Sequence, residues 1–482
     1  MTDKQRIVVE QALIGEQYSL SGPVEIVLSE GLIEAINPAD TPQGNRLMAM
    51  PSLTDAHNHA RPFSTTSFGC AGNPLETWLP RLAVMPSVDA YTAAAASFAR
   101  SLLGGATSVM VHLTRPMGLV SLPEEARQIA QAAQDVGVSI GFAISMRDRN
   151  PLVYGDHAQM LAKLDENART IVTQTWLRPM PSVAEQLELV ESVAEAVEDM
   201  PGHVDVQFGP TGVQWCTDEL LSSIANASAK SGRRIHMHLL ETQPQRIWAD
   251  QTYLQGIVSH LENIGLLSSR LTLAHCVWAN TDEFKTIAAN GCRIAVNASS
   301  NLHLHSGIAP VADMLAAGVN VAMGLDGCAF DEDDDGLREL RLFYLLNHAR
   351  GFGAEAMTPT KALRAACSTG RAGLGLGAGG ILAPGMPADL LLLDQSALDR
   401  DALMDVDPRD YIFSRATKAH IIDAYSSGRL VIKNGMAIGV DLPSLESKLR
   451  VSMRAGLTSK ADIINTWPDI ERFIAEHYRG CC

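Results

Sequence analysis

The chain predicts a (β/α)8 barrel (the TIM barrel class of α/β folds) carrying a small β-sandwich built from its two ends. Three observations predict it. Across residues 50–370, eight apolar, β-rich runs alternate with helix-patterned stretches. Strand-rich segments flank this middle on both sides. Histidines and acids fall at the ends of the runs, where a barrel gathers its chemistry.

Residues 5–50 contain RIVVEQALI and PVEIVLSEGLIEAINP, short strand patterns punctuated by glycine and proline. Residues 380–437 read the same way, in GGILAPGMPADLLLLD and AHIIDAYSSGRLVIKNG. We therefore expect 1–50 and 376–440 to form the two parts of the sandwich and 51–375 the barrel. The expected barrel strands are 49–54, 107–113, 138–145, 203–210, 233–240, 271–277, 292–297 and 319–325. Between them, SLPEEARQIAQAAQDVG, SVAEQLELVESVAEAVED and DEFKTIAANG read as helices. Residues 441–482 read as a helical tail, with apolar positions at helix spacing in LESKLRVSMRAGL and ADIINTWPDIERFIAEHY.

Composition narrows the function. The formal net charge of −16 argues against nucleic acid or an anionic membrane as partner; the expected partner is a small-molecule substrate. The 8 cysteines are scattered with no CxxC pair, so a disulfide scaffold is not expected and a reducing, cytoplasmic compartment is. The start MTDKQRIVVEQALIG lacks a charged-then-apolar signal pattern, and no apolar run approaches bilayer length. Cys481 and Cys482 do not form a prenylation box. A homo-oligomer, dimer or larger, is expected, as is usual for soluble assemblies.

The run ending in TDAHNHA places His57 and His59 two residues apart, so a strand points both the same way. RRIHMHLLET supplies His238, with Glu241 three residues on; LTLAHCVW supplies His275, and VNVAMGLDG supplies Asp326. Any one histidine near a strand end is commonplace. The ordered set, a pair at the first strand and single residues from later strands, points to one metal site with an open position for water.

This order of motifs resembles the amidohydrolase superfamily, in the branch that holds cytosine, guanine and S-adenosylhomocysteine deaminases and the triazine hydrolases. The resemblance extends through NASSNLHLHSGIAPVADMLAAGVNVAMGLDG and GGILAPGMPADLLLLD. It implies that His57, His59, His238 and Asp326 bind one divalent metal, zinc by default with iron or manganese as alternatives. It also implies that Glu241, His275 and Asp326 are the catalytic groups acting on water and substrate. A second metal is not expected, because HVDVQFGPTG offers neither lysine nor glutamate as a bridge.

Candidate substrate contacts follow strand ends: Arg61, His112, Arg115, Arg147, Asn301 and His303, with His305 nearby. Arginines there would suit carbonyl, carboxylate or imide oxygens. Trp78, Trp215 and Trp278 are candidates for flat walls. His236 reads as a barrel-interior histidine with a buried partner, and the acidic run 331–335 as the start of a helix. The leading expectation is hydrolytic deamination of an N-heterocycle. The alternatives are hydrolysis of an amide, urea or carbamate C–N bond, and a catalytically silent barrel acting as a binding protein.

Overall fold

Eight strands pair in parallel, each beside the next in sequence: β1 Leu53–Asn58, β2 Ala106–Leu113, β3 Ser139–Met146, β4 Val204–Pro210, β5 Ile235–Leu239, β6 Leu271–His275, β7 Arg293–Val296 and β8 Asn320–Met323. This computed structural model describes residues 4–40, 44, 46–149, 152–348 and 357–479; Cys481 and Cys482 lie outside the described residues. Helices cover the outer face, so the strands are buried on both sides. Every residue of β2 is buried, which is why the runs read as continuous apolar stretches. The ring closes at the top: the amides of Leu325 and Asp326 both donate to the carbonyl of His57, at 3.2 and 2.7 Å.

Seven of the expected strands lie within two residues of the observed ones. The first does not. The run 49–54 is shared between two sheets. Leu47–Pro51 pairs with Leu390–Asp394 in the terminal sheet, and β1 starts at Leu53. At the crossing, the Ser52 amide donates to the Asp389 carbonyl. Both sheets are buried there, and the Pro51–Ser52 step is the local mark of the change.

The two chain ends meet in a seven-stranded sheet, in the order Met436–Ala437, Arg429–Lys433, Ile421–Ser426, Leu390–Asp394, Leu47–Pro51, Gln11–Ile14, Ser19–Ser21. A second sheet of Gln5–Val9, Val24–Ser29 and Leu32–Pro38 packs over it. The period of two sorts the side chains: Leu390, Leu392 and Ala49 enter the core between these sheets. Leu391, Leu393, Met48 and Met50 join the barrel's core.

The tail is two helices. In Leu442–Leu457, Leu445, Leu449 and Met453 are buried at four-residue spacing. In Ala461–Arg479, Trp467, Ile470 and Ile474 are buried against Met160, Ala168 and Val172 of two preceding helices. The acidic run does start a helix: Asp335 caps Gly336–Asn347 by accepting from the Arg338 amide. No helix among the described residues is long and apolar enough to cross a membrane.

Candidate active site

The C-terminal ends of β1, β5, β6 and β8 converge on one point. Ligand-capable atoms of His57, His59 and His238 lie within 4.8 Å of one another, as do those of His57, His275 and Asp326. His59 Nε2 is 3.1 Å and His57 Nε2 3.5 Å from Asp326 Oδ1. The backbone is left-handed at Leu240, His275, Cys276 and Asp326, with φ of +47°, +72°, +50° and +64°. Non-glycine residues held there cost on the order of 1–3 kcal/mol each, and such strain concentrates at functional sites.

Hydrogen bonds fix the histidine tautomers. His59 Nδ1 lies 2.8 Å from the His112 carbonyl and His238 Nδ1 2.7 Å from the Thr211 carbonyl. A carbonyl only accepts, so both Nδ1 atoms carry the proton. Their Nε2 lone pairs then face each other at 3.3 Å. Two lone pairs this close repel unless a cation lies between them. Nitrogens bound to one tetrahedral zinc stand about 3.3–3.4 Å apart. Both ring nitrogens of His57 and Oδ1 of Asp326 are buried without a hydrogen-bond partner among the described residues. The donor set therefore fits a divalent cation.

The electrostatics agree. Burial holds the His57, His59 and His238 imidazoles below their usual range, which keeps them neutral. Ser300 Oγ donates to Asp326 Oδ2 at 2.6 Å, orienting the carboxylate.

Glu241 and His275 flank the cluster. His275 Nε2 is 3.7 Å from Glu241 Oε2 and 3.9 Å from Asp326 Oδ2. Burial pushes the Glu241 carboxyl up to about 7, with the charges of Asp326 and Glu76 adding to the shift and His275 and Ser306 opposing it. Asn301 stands behind His275 and does not line the cavity. Its Oδ1 lies 2.9 Å from His275 Nδ1, and it is 1% exposed. Asn297 Nδ2 approaches the same Nδ1 at 3.3 Å; the shorter contact sets the tautomer, with Nδ1–H donating to Asn301 and Nε2 turned to the site. Supporting bonds of this kind are worth roughly 10–100-fold in activity. Asn301→Leu should lower kcat by about that factor with the metal retained, and Asn301→Asp, which keeps the acceptor, should lose less. Unchanged kcat in Asn301→Leu would refute the positioning role.

A cavity of about 40 Å³ opens above the cluster, walled by Arg61, Leu75, Trp78, Thr114, Trp215 and Leu304. Of the candidate substrate contacts, Arg61 is in this wall. Its guanidinium donates to the Asp326 carbonyl and lies 5.0 Å from the Trp78 ring center. The others are elsewhere. His112 is fully buried below His59 and His238, 3.2 Å from the Gly209 carbonyl. Arg115 turns away and donates to the Met85 carbonyl, because Thr114 takes the inward position after β2. Arg147 lies outside the wall, beside the helix that carries Gln186. His303 is exposed beside Phe330. His236 is buried as expected, stacked on His57 at 4.9 Å.

Sequence reasoning missed Asp55. Fully buried, it accepts from the amides of His57 and Leu325 at 3.2 and 2.9 Å and from Asn58 Nδ2 at 2.6 Å. It ties β1 to the segment carrying Asp326. Its signal was the aspartate two before the first histidine in DAHNH. Glu76 was missed as well. It is buried, accepts from Thr242 Oγ1, and has burial pushing its carboxyl up; its sequence context gives no warning.

Comparison with known proteins agrees with this architecture. A sequence profile of the amidohydrolase family matches residues 48–431. The 5'-deoxyadenosine deaminase of Methanothermobacter thermautotrophicus is 26% identical over 407 residues, 84% of this chain and 85% of that protein. That of Methanosarcina barkeri is 30% identical over 240 residues, 50% of this chain and 55% of that protein. Against several such curated relatives, the matched region spans about half the relative's length. A zinc-bound adenosine deaminase from Xanthomonas campestris shares the fold, with a TM-score of 0.76 at 23% identity over 94% of this chain and 98% of that one. With the profile running from the last strand before the barrel through the returning terminal sheet, this chain belongs to the amidohydrolase family.

Proposed function

We propose that this chain is a metal-dependent hydrolase that releases ammonia from an aminated N-heterocycle, with a nucleoside-like molecule as substrate. The observation that carries this is the pair of Nε2 lone pairs 3.3 Å apart beside the partnerless Asp326 Oδ1, with Glu241 and His275 within reach. The named relatives, deaminases of adenosine-type nucleosides, support the substrate class.

His57, His59, His238 and Asp326 would hold one divalent ion, zinc first, with iron or manganese as alternatives. Such an ion supplies Lewis acidity that makes water nucleophilic near neutral pH. Asp326 takes one proton from the attacking water. Glu241, with its carboxyl near 7, gives a proton to the departing nitrogen and is made good by the proton Asp326 took from the water, so both carboxyls end as they began. His275 Nε2, which carries the lone pair, accepts a hydrogen bond from the attacking water and orients it. Oxygen bonds to the ring carbon, the C–N bond breaks, and ammonia leaves. Trp78 and Trp215 give a flat ring its walls.

The test is ammonia release across a panel of adenosine-type nucleosides, free aminopurines and aminopyrimidines, set beside amine release from ureas, carbamates and anilides. Ammonia from an aminopurine nucleoside is the expected result. Amine release from the acyclic set, without ammonia from any ring, would replace this reading with C–N hydrolysis of amides or ureas.

A further inference from the structure

The cavity at the ligand cluster holds about 40 Å³. That is room for a few small species, where small-molecule sites run to roughly 300–1,000 Å³. Directly outside lies a vestibule of about 850 Å³, bordered by Glu76, Thr77, Thr242, Trp278 and Tyr478. Leu304 and the helix Leu75–Arg81 separate the two. A purine ring cannot pass while that helix stays where it is.

The helix is built to be movable. It has seven residues, no side-chain cap, and Pro80 inside it. Gly69 and Gly72 precede it with left-handed φ of +72° and +70°, and a Cβ on Gly72 would meet nothing within 4 Å. It is held at both sides by polar contacts. On the inside, Glu76 accepts from Thr242 Oγ1 and from Tyr154 OH, the latter at 3.3 Å. Gln245 links the same phenol to the Glu241 amide, through contacts of 3.4 and 2.8 Å. On the outside, Asn73 Nδ2 donates to Glu471 of the tail helix Ala461–Arg479, and Arg81 lies 4.0 Å from the same carboxylate. Trp467 Nε1 donates to Glu471 at 3.0 Å and fixes it. Tyr478, on the same helix, accepts from the Tyr154 amide at 2.9 Å.

We propose that residues 72–82 are a lid, closed in this structure, and that the tail helix is the strap whose Glu471 sets how readily the lid opens. This rests on the reading that the Glu241 cluster is where substrate reacts. Closing the lid seats Glu76 on the residue next to Glu241, so closure and the placing of the acid–base group are one event. The strap is anchored independently by Trp467, Ile470 and Ile474, so loosening Glu471 frees the lid without dismantling the tail.

Two experiments test it. The first is amide hydrogen exchange of residues 72–82 in wild type and Glu471→Ala, which needs no substrate. Losing a charged hydrogen bond is expected to speed exchange there by about tenfold, with the barrel strands unchanged. Identical exchange would overturn the strap. The second uses Asn73→Cys/Glu471→Cys, oxidized to a bridge confirmed by mass, and compares the same protein before and after reduction. Turnover of the best panel substrate should fall on oxidation and return with reductant. Full turnover in the bridged form would overturn the lid. Exchange that depends on Glu471 in a protein that deaminates nothing would support the lid and count against the deaminase reading.

Discussion

Replacing His57, His59, His238 or Asp326 with Ala is expected to reduce bound transition metal from about one ion per chain to near zero. In the proposed site each residue gives one of four donors, and the other three are held by the fold. His57 is the sharpest case. It is fully buried with both ring nitrogens partnerless among the described residues, so its desolvation is uncompensated unless it binds something. Removing it should therefore cost the metal-free protein little. Wild type should lose thermal stability on treatment with a chelator, because a bound ion stabilizes the folded state by mass action. His57→Ala should show almost no chelator effect. Elemental analysis after dialysis, paired with melting curves with and without chelator, checks both statements. Retention of stoichiometric metal in His57→Ala would remove His57 from the ligand set, and two tightly bound ions per wild-type chain would overturn the mononuclear assignment.

Glu241→Gln is expected to leave fold and metal intact and to lower kcat by about 10²–10⁴-fold, with a much smaller change in KM. The side chain keeps its shape and its contact with Ser306, 3.4 Å away, but loses the proton it exchanges. The position is suited to that task. Burial pushes the carboxyl to about 7, close to the pH at which proton donation and acceptance are balanced. His275→Asn should likewise keep the metal and lose rate. Near-wild-type turnover of Glu241→Gln on the true substrate would mean that Asp326 alone serves as base.

The barrel was legible because burial on both strand faces writes long apolar runs, and the cluster of histidines and acids because its members end those runs. His57, His59, His238, Glu241, His275 and Asp326 are brought together where their order implied. Legibility failed where side-chain direction decides the outcome. Arg115 and Thr114 are neighbors after one strand, and the smaller residue took the cavity side. Asn301 and His303 sit on one short helix, where Asn301 turned inward to His275 and His303 outward beside Phe330. The split of 49–54 was missed because both of its sheets are buried and the short Pro51–Ser52 step is its local mark.

The sequence by itself determined the eight strand–helix units, the sandwich of chain ends and the identity of the groups that meet at the strand ends. These depend on periods of two and 3.6 and on order along the chain, which are local properties. Only the tertiary structure decided which hydrogen bonds fix each imidazole and which loop residues face the cavity. It alone placed Asp55 as the tie between the first strand and Asp326. It alone brought Glu471, nearly 400 residues along the chain, against Asn73 over the mouth of the site. Such contacts join residues distant in sequence, and their geometry is set by packing of the whole chain, which no local pattern records.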